Sequence, residues 1–137
     1  MRVVGLDLGS RRIGVALSDS GGAVATPYTV LERSGDPHAD RAALAALVGE
    51  IEAELVVVGL PLSLDGSMGP AARAAAAEAV AIADVLSVPV ETYDERLTTV
   101  TADRSLMQLR MKAGARRRVV DKVAAAVMLQ SWLDRHQ

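Results

Sequence analysis

Alternating apolar and small or polar positions open the chain, and the spacing predicts strands. Over residues 2–8, Val3, Gly5 and Asp7 fall on one side and Val4, Leu6 and Leu8 on the other. Over 12–18, Ile13, Val15 and Leu17 alternate with Gly14, Ala16 and Ser18, the period of two expected of a strand. A third strand is expected over about 23–31. The short Gly9-Ser10-Arg11-Arg12 link makes the first two an antiparallel hairpin. The period then lengthens. Leu44, Leu47, Val48 and Ile51 predict a helix over about 37–53, opened by Asp36-Pro37. Leu55 to Val58 reads as a buried strand, and Ser67 and Pro70 start an alanine-rich helix reaching about Leu86. Residues 88–93 form a fifth strand. Thr98 or Thr99 caps a helix expected to stop near Gly114, and a last helix is expected from about Val119 to Arg135. Three antiparallel strands followed by helix–strand units predict an α/β architecture, a mixed five-stranded sheet with helices packed on it.

Composition narrows the possibilities. A chain of 137 residues, half of them hydrophobic, suits one domain over 1–137 and leaves no length for a second. The absence of cysteine excludes disulfides, thiolate zinc sites and cysteine nucleophiles. No apolar run approaches the roughly 20 residues that span a bilayer. A soluble cytoplasmic protein without a membrane partner is therefore expected.

The net charge of −2 does not advertise a polyanionic partner, but its distribution does. From Asp103 to Lys122 seven cations (Arg104, Arg110, Lys112, Arg116, Arg117, Arg118 and Lys122) face only Asp103 and Asp121. Such a stretch contacts phosphates if it lies on one surface; an arginine run in a solvated loop is the plainer account.

Three acidic positions carry candidate chemistry. Asp7 is embedded in strand-forming residues, beside a glycine on the same face that leaves room next to it. Desolvating a carboxylate costs several kcal/mol unless a cation or hydrogen bonds compensate, so Asp7 either holds a divalent ion with other acids or caps the following turn. Asp94-Glu95-Arg96 follows the fifth strand. An acid there is also explained by the start of a helix, which accounts for one carboxylate more readily than for two. Glu95 is the favoured ligand, Asp94 a possible additional acid, and Arg96 a backbone or phosphate contact. Asp121 shares helical phase with Ala124, Ala125, Met128, Leu129 and Trp132, so it faces the sheet; an N-cap role competes. His38 and His136 lack partners at metal-ligand spacing and are assigned to the surface.

Taken together, Gly5-Leu6-Asp7-Leu8-Gly9 with Arg11, Ile13 and Gly14, then Gly59-Leu60-Pro61 with Gly66-Ser67, then Asp94 to Thr99, then Asp121-Lys122-Val123-Ala124-Ala125 resemble the YqgF (RuvX-type) family of the ribonuclease H-like superfamily. The likeness extends over essentially the whole chain. It implies a ribonuclease H-like sheet flanked by helices and a nuclease of the Holliday-junction-resolvase type, with a role in maturing the 5′ end of pre-16S rRNA. The family's acids fall on Asp7, Glu95 and Asp121. Related nucleases carry an acid at the end of the strand after the first helix, where this chain has Gly59-Leu60-Pro61, so Glu95 must replace it from the next strand.

The chemistry implied is phosphodiester hydrolysis with two Mg²⁺ or Mn²⁺ ions sharing Asp7, and with Glu95 and Asp121 completing their oxygen shells. Arg11, Arg12, Arg96 and Arg116 to Arg118 are expected to hold flanking phosphates. Trp132, Tyr28 and Tyr93 are the only aromatic residues, which favours shape over base stacking. Structured RNA precursor and branched DNA remain rival partners, and a homodimer remains open. Two other classes stand behind the nuclease: a non-catalytic nucleic-acid-binding protein, and an actin-like ATPase suggested by Asp7-x-Gly9 but disfavoured by a length sufficient for one domain.

Overall fold

The order of the five strands is β3-β2-β1-β4-β5, which puts β1 (Val3–Leu8) at the centre of the sheet. The structure, a computed structural model, describes residues 1–98 and 113–136. β1 pairs antiparallel with β2 (Arg12–Ser18), and β2 antiparallel with β3 (Ala25–Glu32). On its other side β1 runs parallel to β4 (Leu55–Leu60), which runs parallel to β5 (Val90–Asp94). This is the mixed sheet expected from the sequence, with the first three strands antiparallel. Pro27 sits in β3, an edge strand, where its missing N–H breaks no ladder on the open side.

The helices are α1 (Pro37–Ile51), α2 (Pro70–Val85) and α3 (Ala113–Arg135). α1 starts as expected: Asp36 accepts the His38 N–H at 3.0 Å and Pro37 takes a position whose N–H has no helical partner. α2 is opened by Gly69 and Pro70 without a side-chain cap; Ser67 is spent inside the preceding loop, where its N–H and hydroxyl both donate to Asp65.

The last helix departs from expectation. It runs unbroken from Ala113 and contains Gly114, so Gly114 ends nothing and Val119 begins nothing. A glycine inside a helix costs about 1 kcal/mol relative to alanine, and the long apolar flank of α3 outweighs that. Thr98 closes a one-turn 3₁₀ helix, Glu95–Leu97, by donating its N–H to the Glu95 carbonyl at 3.0 Å. The helix expected from Thr98 or Thr99 onward falls mostly on residues 99–112, outside the described residues, with Arg104, Met107, Arg110, Met111 and Lys112.

Strand alternation sorts the core into two clusters. Val4, Leu6, Ile13, Val15, Val56 and Val58 pack with Leu44, Val48 and Ile51 of α1 and Ala79 and Ile82 of α2. On the opposite face Val3, Ala16, Leu55, Val57 and Tyr93 pack with Ala125, Met128, Leu129, Trp132 and Leu133 of α3. The space expected beside Gly5 is not left for a ligand. A Cβ there would come within 2.8 Å of Leu129 Cβ, so the glycine serves the approach of α3.

Candidate functional site

Parallel pairing of β1, β4 and β5 brings their C-terminal ends to one rim of the sheet, where open α/β sheets place ligands. Asp7 lies near the end of β1, opposite Gly14 of β2. On β4, Gly59 is paired with Tyr93 of β5. Immediately after β5 the chain tightens into the 3₁₀ turn, which carries the Glu95 side chain back over Gly59. A Cβ at Gly59 would lie 2.5 Å from Glu95 Oε1 and 3.0 Å from Cγ. The glycine that replaces the acid expected at this strand end therefore makes room for an acid arriving from the next strand.

Glu95 hydrogen-bonds to Asp7, and its carboxyl is pushed up to about 7. Burial is the largest cause, followed by the charge of Asp7, the hydrogen bond between the two carboxyls and the charge of Asp94. Two acids in contact form a focus of negative charge that a proton on Glu95 or a cation can relieve. The oxygen-only donor set is the kind that hard divalent ions take.

The neighbouring acid is committed elsewhere. Asp94 accepts the Arg96 backbone N–H at 2.9 Å and closes a bidentate pair with its guanidinium, Nη2 at 2.6 Å and Nε at 3.0 Å. The Arg96 side chain accordingly holds the Asp94 carboxyl below the usual range. Arg96 Nη1 also donates to the Leu64 carbonyl at 3.1 Å, so this arginine ties the β4–α2 loop to the 3₁₀ turn. Glu95, and not Asp94, meets Asp7.

Asp121 lies well inside α3. It is not an N-cap, because the residues before it are helical from Ala113 onward. Its phase is the one expected: the backbone presses on β2 so closely that a Cβ at Gly14 would overlap the Asp121 carbonyl oxygen. Its carboxylate, however, accepts from Arg12 Nε at 2.8 Å. Asp7 and Glu95 are thus united, while Asp121 reaches the strand partner of Asp7 through its peptide and turns its charge toward Arg12. Among the described residues no set of three acidic, histidine or cysteine side chains gathers in a metal-holding arrangement.

Of the expected phosphate contacts, Arg11 is exposed on the β1–β2 turn, whereas Arg12 and Arg96 are both in ion pairs. Arg116, Arg117 and Arg118 fall in the first turns of α3, not in a loop; their side chains are outside the described part of the structure. His38 is exposed at the start of α1, and His136 is exposed with its ring stacked on Trp132 at 4.0 Å.

Sequence reasoning missed the residues that brace this rim. Arg33 donates from Nε to the Gly9 carbonyl at 2.8 Å, and its backbone N–H donates to the Arg11 carbonyl at 2.9 Å. Its two terminal nitrogens grip Glu78 of α2 at 2.6 and 2.8 Å. The turn between Asp7 and Arg12 is therefore fixed to the helical layer. Tyr93 and Ser131 share a hydroxyl contact of 2.7 Å, and Ser131 donates to the Leu97 carbonyl at 3.0 Å, which pins the 3₁₀ turn to α3. Nothing local marks Arg33 and Glu78 as partners. Nor does the pattern mark Gly14 as the point where α3 meets β2, since alternation gives its face but not its partner.

The family model described as "RuvX: Holliday junction resolvase" matches residues 1–135. The chain is 48% identical over 137 residues to a Myxococcus xanthus protein described as "Putative pre-16S rRNA nuclease", covering 100% of this chain and 90% of that one. It is 44% identical over 134 residues to a Pelotomaculum thermopropionicum protein of the same description, covering 98% and 87%. Among solved structures, Thermus thermophilus RuvC in complex with a Holliday junction substrate is similar in fold, with a TM-score of 0.60 at 16% identity over 99% of this chain and 95% of that one.

Proposed function

This chain belongs to the RuvX family, and from that premise we propose that it is a metal-dependent endonuclease that processes the 5′ end of pre-16S rRNA. The observation that carries the catalytic reading is the Asp7–Glu95 pair at the sheet rim, with the Glu95 carboxyl pushed up to about 7. The preference for ribosomal precursor over branched DNA rests on the descriptions of relatives at 38 to 49% identity; the likeness to RuvC is one of fold. A four-way DNA junction is the second substrate, favoured by the description of the matching family.

The donor set fits Mg²⁺ or Mn²⁺, because Asp7 and Glu95 offer carboxylate oxygens in contact and the cost of burying both charges falls when a cation shares the site. Asp7, Glu95 and Asp121 are the residues that would hold two such ions. When bound, those ions supply Lewis acidity to water and to the departing 3′ oxygen of a phosphodiester. The protein's own residues do the rest. Glu95, titrating near neutrality, exchanges a proton at its carboxyl oxygens within the physiological range. The Arg33 and Ser131 contacts brace the two sides of the rim, so that the carboxyl pair is held in place before a strand arrives. Arg11 and the Arg116 to Arg118 run supply positive charge for flanking phosphates, which positions a strand without reading its sequence.

The test is cleavage of a 5′-extended 16S precursor and of a four-way DNA junction by the protein and its Asp7→Asn variant, with and without Mg²⁺ or Mn²⁺. Cleavage of the precursor should need metal and should fall at least about 10³-fold in the variant, as expected when a shared metal ligand is lost. Metal-independent or variant-insensitive cleavage would count against the site.

A further inference from the structure

We infer that Arg12 is an exchangeable counter-ion: it holds the Asp121 carboxylate in the arrangement seen here, releases it when a divalent cation joins Asp7 and Glu95, and then turns to a substrate phosphate. The inference rests on the reading of these three acids as cation ligands and goes beyond it in assigning Arg12 two successive partners.

Geometry leaves Asp121 only its side-chain torsions. Its backbone cannot move closer to β2, because α3 already touches the strand where Gly14 lacks a side chain. Directly opposed residues of an antiparallel pair have Cα atoms about 5 Å apart, and Gly14 is opposite Asp7. The carboxylate therefore chooses by side-chain rotation between Arg12, toward the start of β2, and the acid pair. The Arg12–Asp121 contact is single, through Nε, and both side chains are partly open to water at 21% and 31% exposure. Such a pair is worth little in solvent. A doubly charged ion already held by two carboxylates attracts a third more strongly than one surface guanidinium does.

Arg12 is not stranded by the exchange. Its hydrogen bond to Asp121 is the chief cause of its raised pKa and the charge of Glu32, its cross-strand neighbour, the least; an arginine stays ionised with either partner. Freed from Asp121, it offers its fork to a phosphate. Cation and nucleic acid consequently favour each other's binding without any movement of the backbone.

Calorimetric titration with Mn²⁺ reads the exchange directly. Arg12→Gln removes the competing cation, and its Mn²⁺ affinity should rise roughly three- to tenfold over the unaltered protein. Arg12→Lys should stay within about twofold, since it keeps a competing charge. In an Asp121→Asn background the Arg12→Gln gain should vanish. Mn²⁺ binding that Arg12→Gln leaves unchanged or weakens overturns the exchange alone; no Mn²⁺ binding in either protein overturns the metal reading with it. If Arg12→Gln does not fold, the Asp121 carboxyl ¹³C shift of the unaltered protein, followed during Mg²⁺ titration, decides. A shift that saturates with Mg²⁺ supports the exchange, and one unmoved at saturation overturns it.

Discussion

Both faces of the sheet carry a buried hydrophobic cluster, but only one also carries the acids. Toward α1 and α2 the strands present Val4, Leu6, Ile13, Val15, Val56 and Val58, all nearly fully buried. Toward α3 the same strands present Val3, Ala16, Leu55 and Val57 together with Gly5, Asp7 and Gly14, and at the two glycines α3 comes down onto the sheet. Small residues on this face admit close backbone contact at its middle and leave charged groups at its rim. The first face supplies cohesion alone, and the second combines its own apolar cluster with the placing of carboxylates.

Four substitutions or titrations test that contrast, beginning with the largest effect. Asp7→Asn should remove at least about 10³ of the cleavage rate, more than 4 kcal/mol of transition-state stabilisation, while the metal-free protein melts at the same temperature or higher because like charge is removed beside Glu95. A clear fall in melting temperature would make Asp7 a structural residue like those on the other face. Leu6→Ala, one residue away but on the aliphatic side, should do the reverse. It should cost about 2–5 kcal/mol of stability in denaturant titration, with Mn²⁺ affinity of the folded protein retained. Gly14→Ala should cost about 1–3 kcal/mol through overpacking and should also weaken Mn²⁺ binding, because α3 has to lift Asp121 from β2. Equal Mn²⁺ affinity in that variant would show that the approach of α3 serves packing only.

The smallest effect is a pH dependence. An ordinary glutamate ionises near 4.5, and Glu95 near 7 when folded. Between those values the native state holds a proton that the unfolded chain has lost, so this group favours folding below about 4.5 and its contribution disappears as pH rises through about 7. Because Glu95 is only partly buried, the amount is on the order of 1 kcal/mol. Melting curves of the metal-free protein from pH 5 to 8 should show the decline, and Glu95→Gln should flatten it. Mn²⁺ affinity should run the opposite way, rising with pH as the proton leaves.

The strands were legible because their period of two coincides with burial on two faces, and β1 and β2 alternate as the pattern requires. Asp7 was legible as an acid interrupting an apolar strand, and Glu95 as one of two adjacent acids where a helix start accounts for only one, the role that Asp94 takes. Asp121 was half legible: helical phase gives direction, but the partner at the end of a side chain is a tertiary fact, and Arg12 lies over a hundred residues upstream. The start of α3 was misplaced because glycine and an arginine run look like a break when the apolar flank that overrides them lies later in the helix. The Arg33–Glu78 brace was invisible for the same reason as most long-range polar pairs, since each residue alone has the appearance of an ordinary surface charge.

The place of β1 in the sheet has a consequence for how the two acids fluctuate. Asp7 belongs to the strand with neighbours on both sides, the part of a fold whose amides exchange with solvent only on near-global opening. Glu95 rides on a single 3₁₀ turn beyond an edge strand, where local opening is far more frequent. Asp7 is therefore held by the sheet ladder itself, whereas Glu95 keeps its place through the contacts that tie its turn to Leu64 and to Ser131.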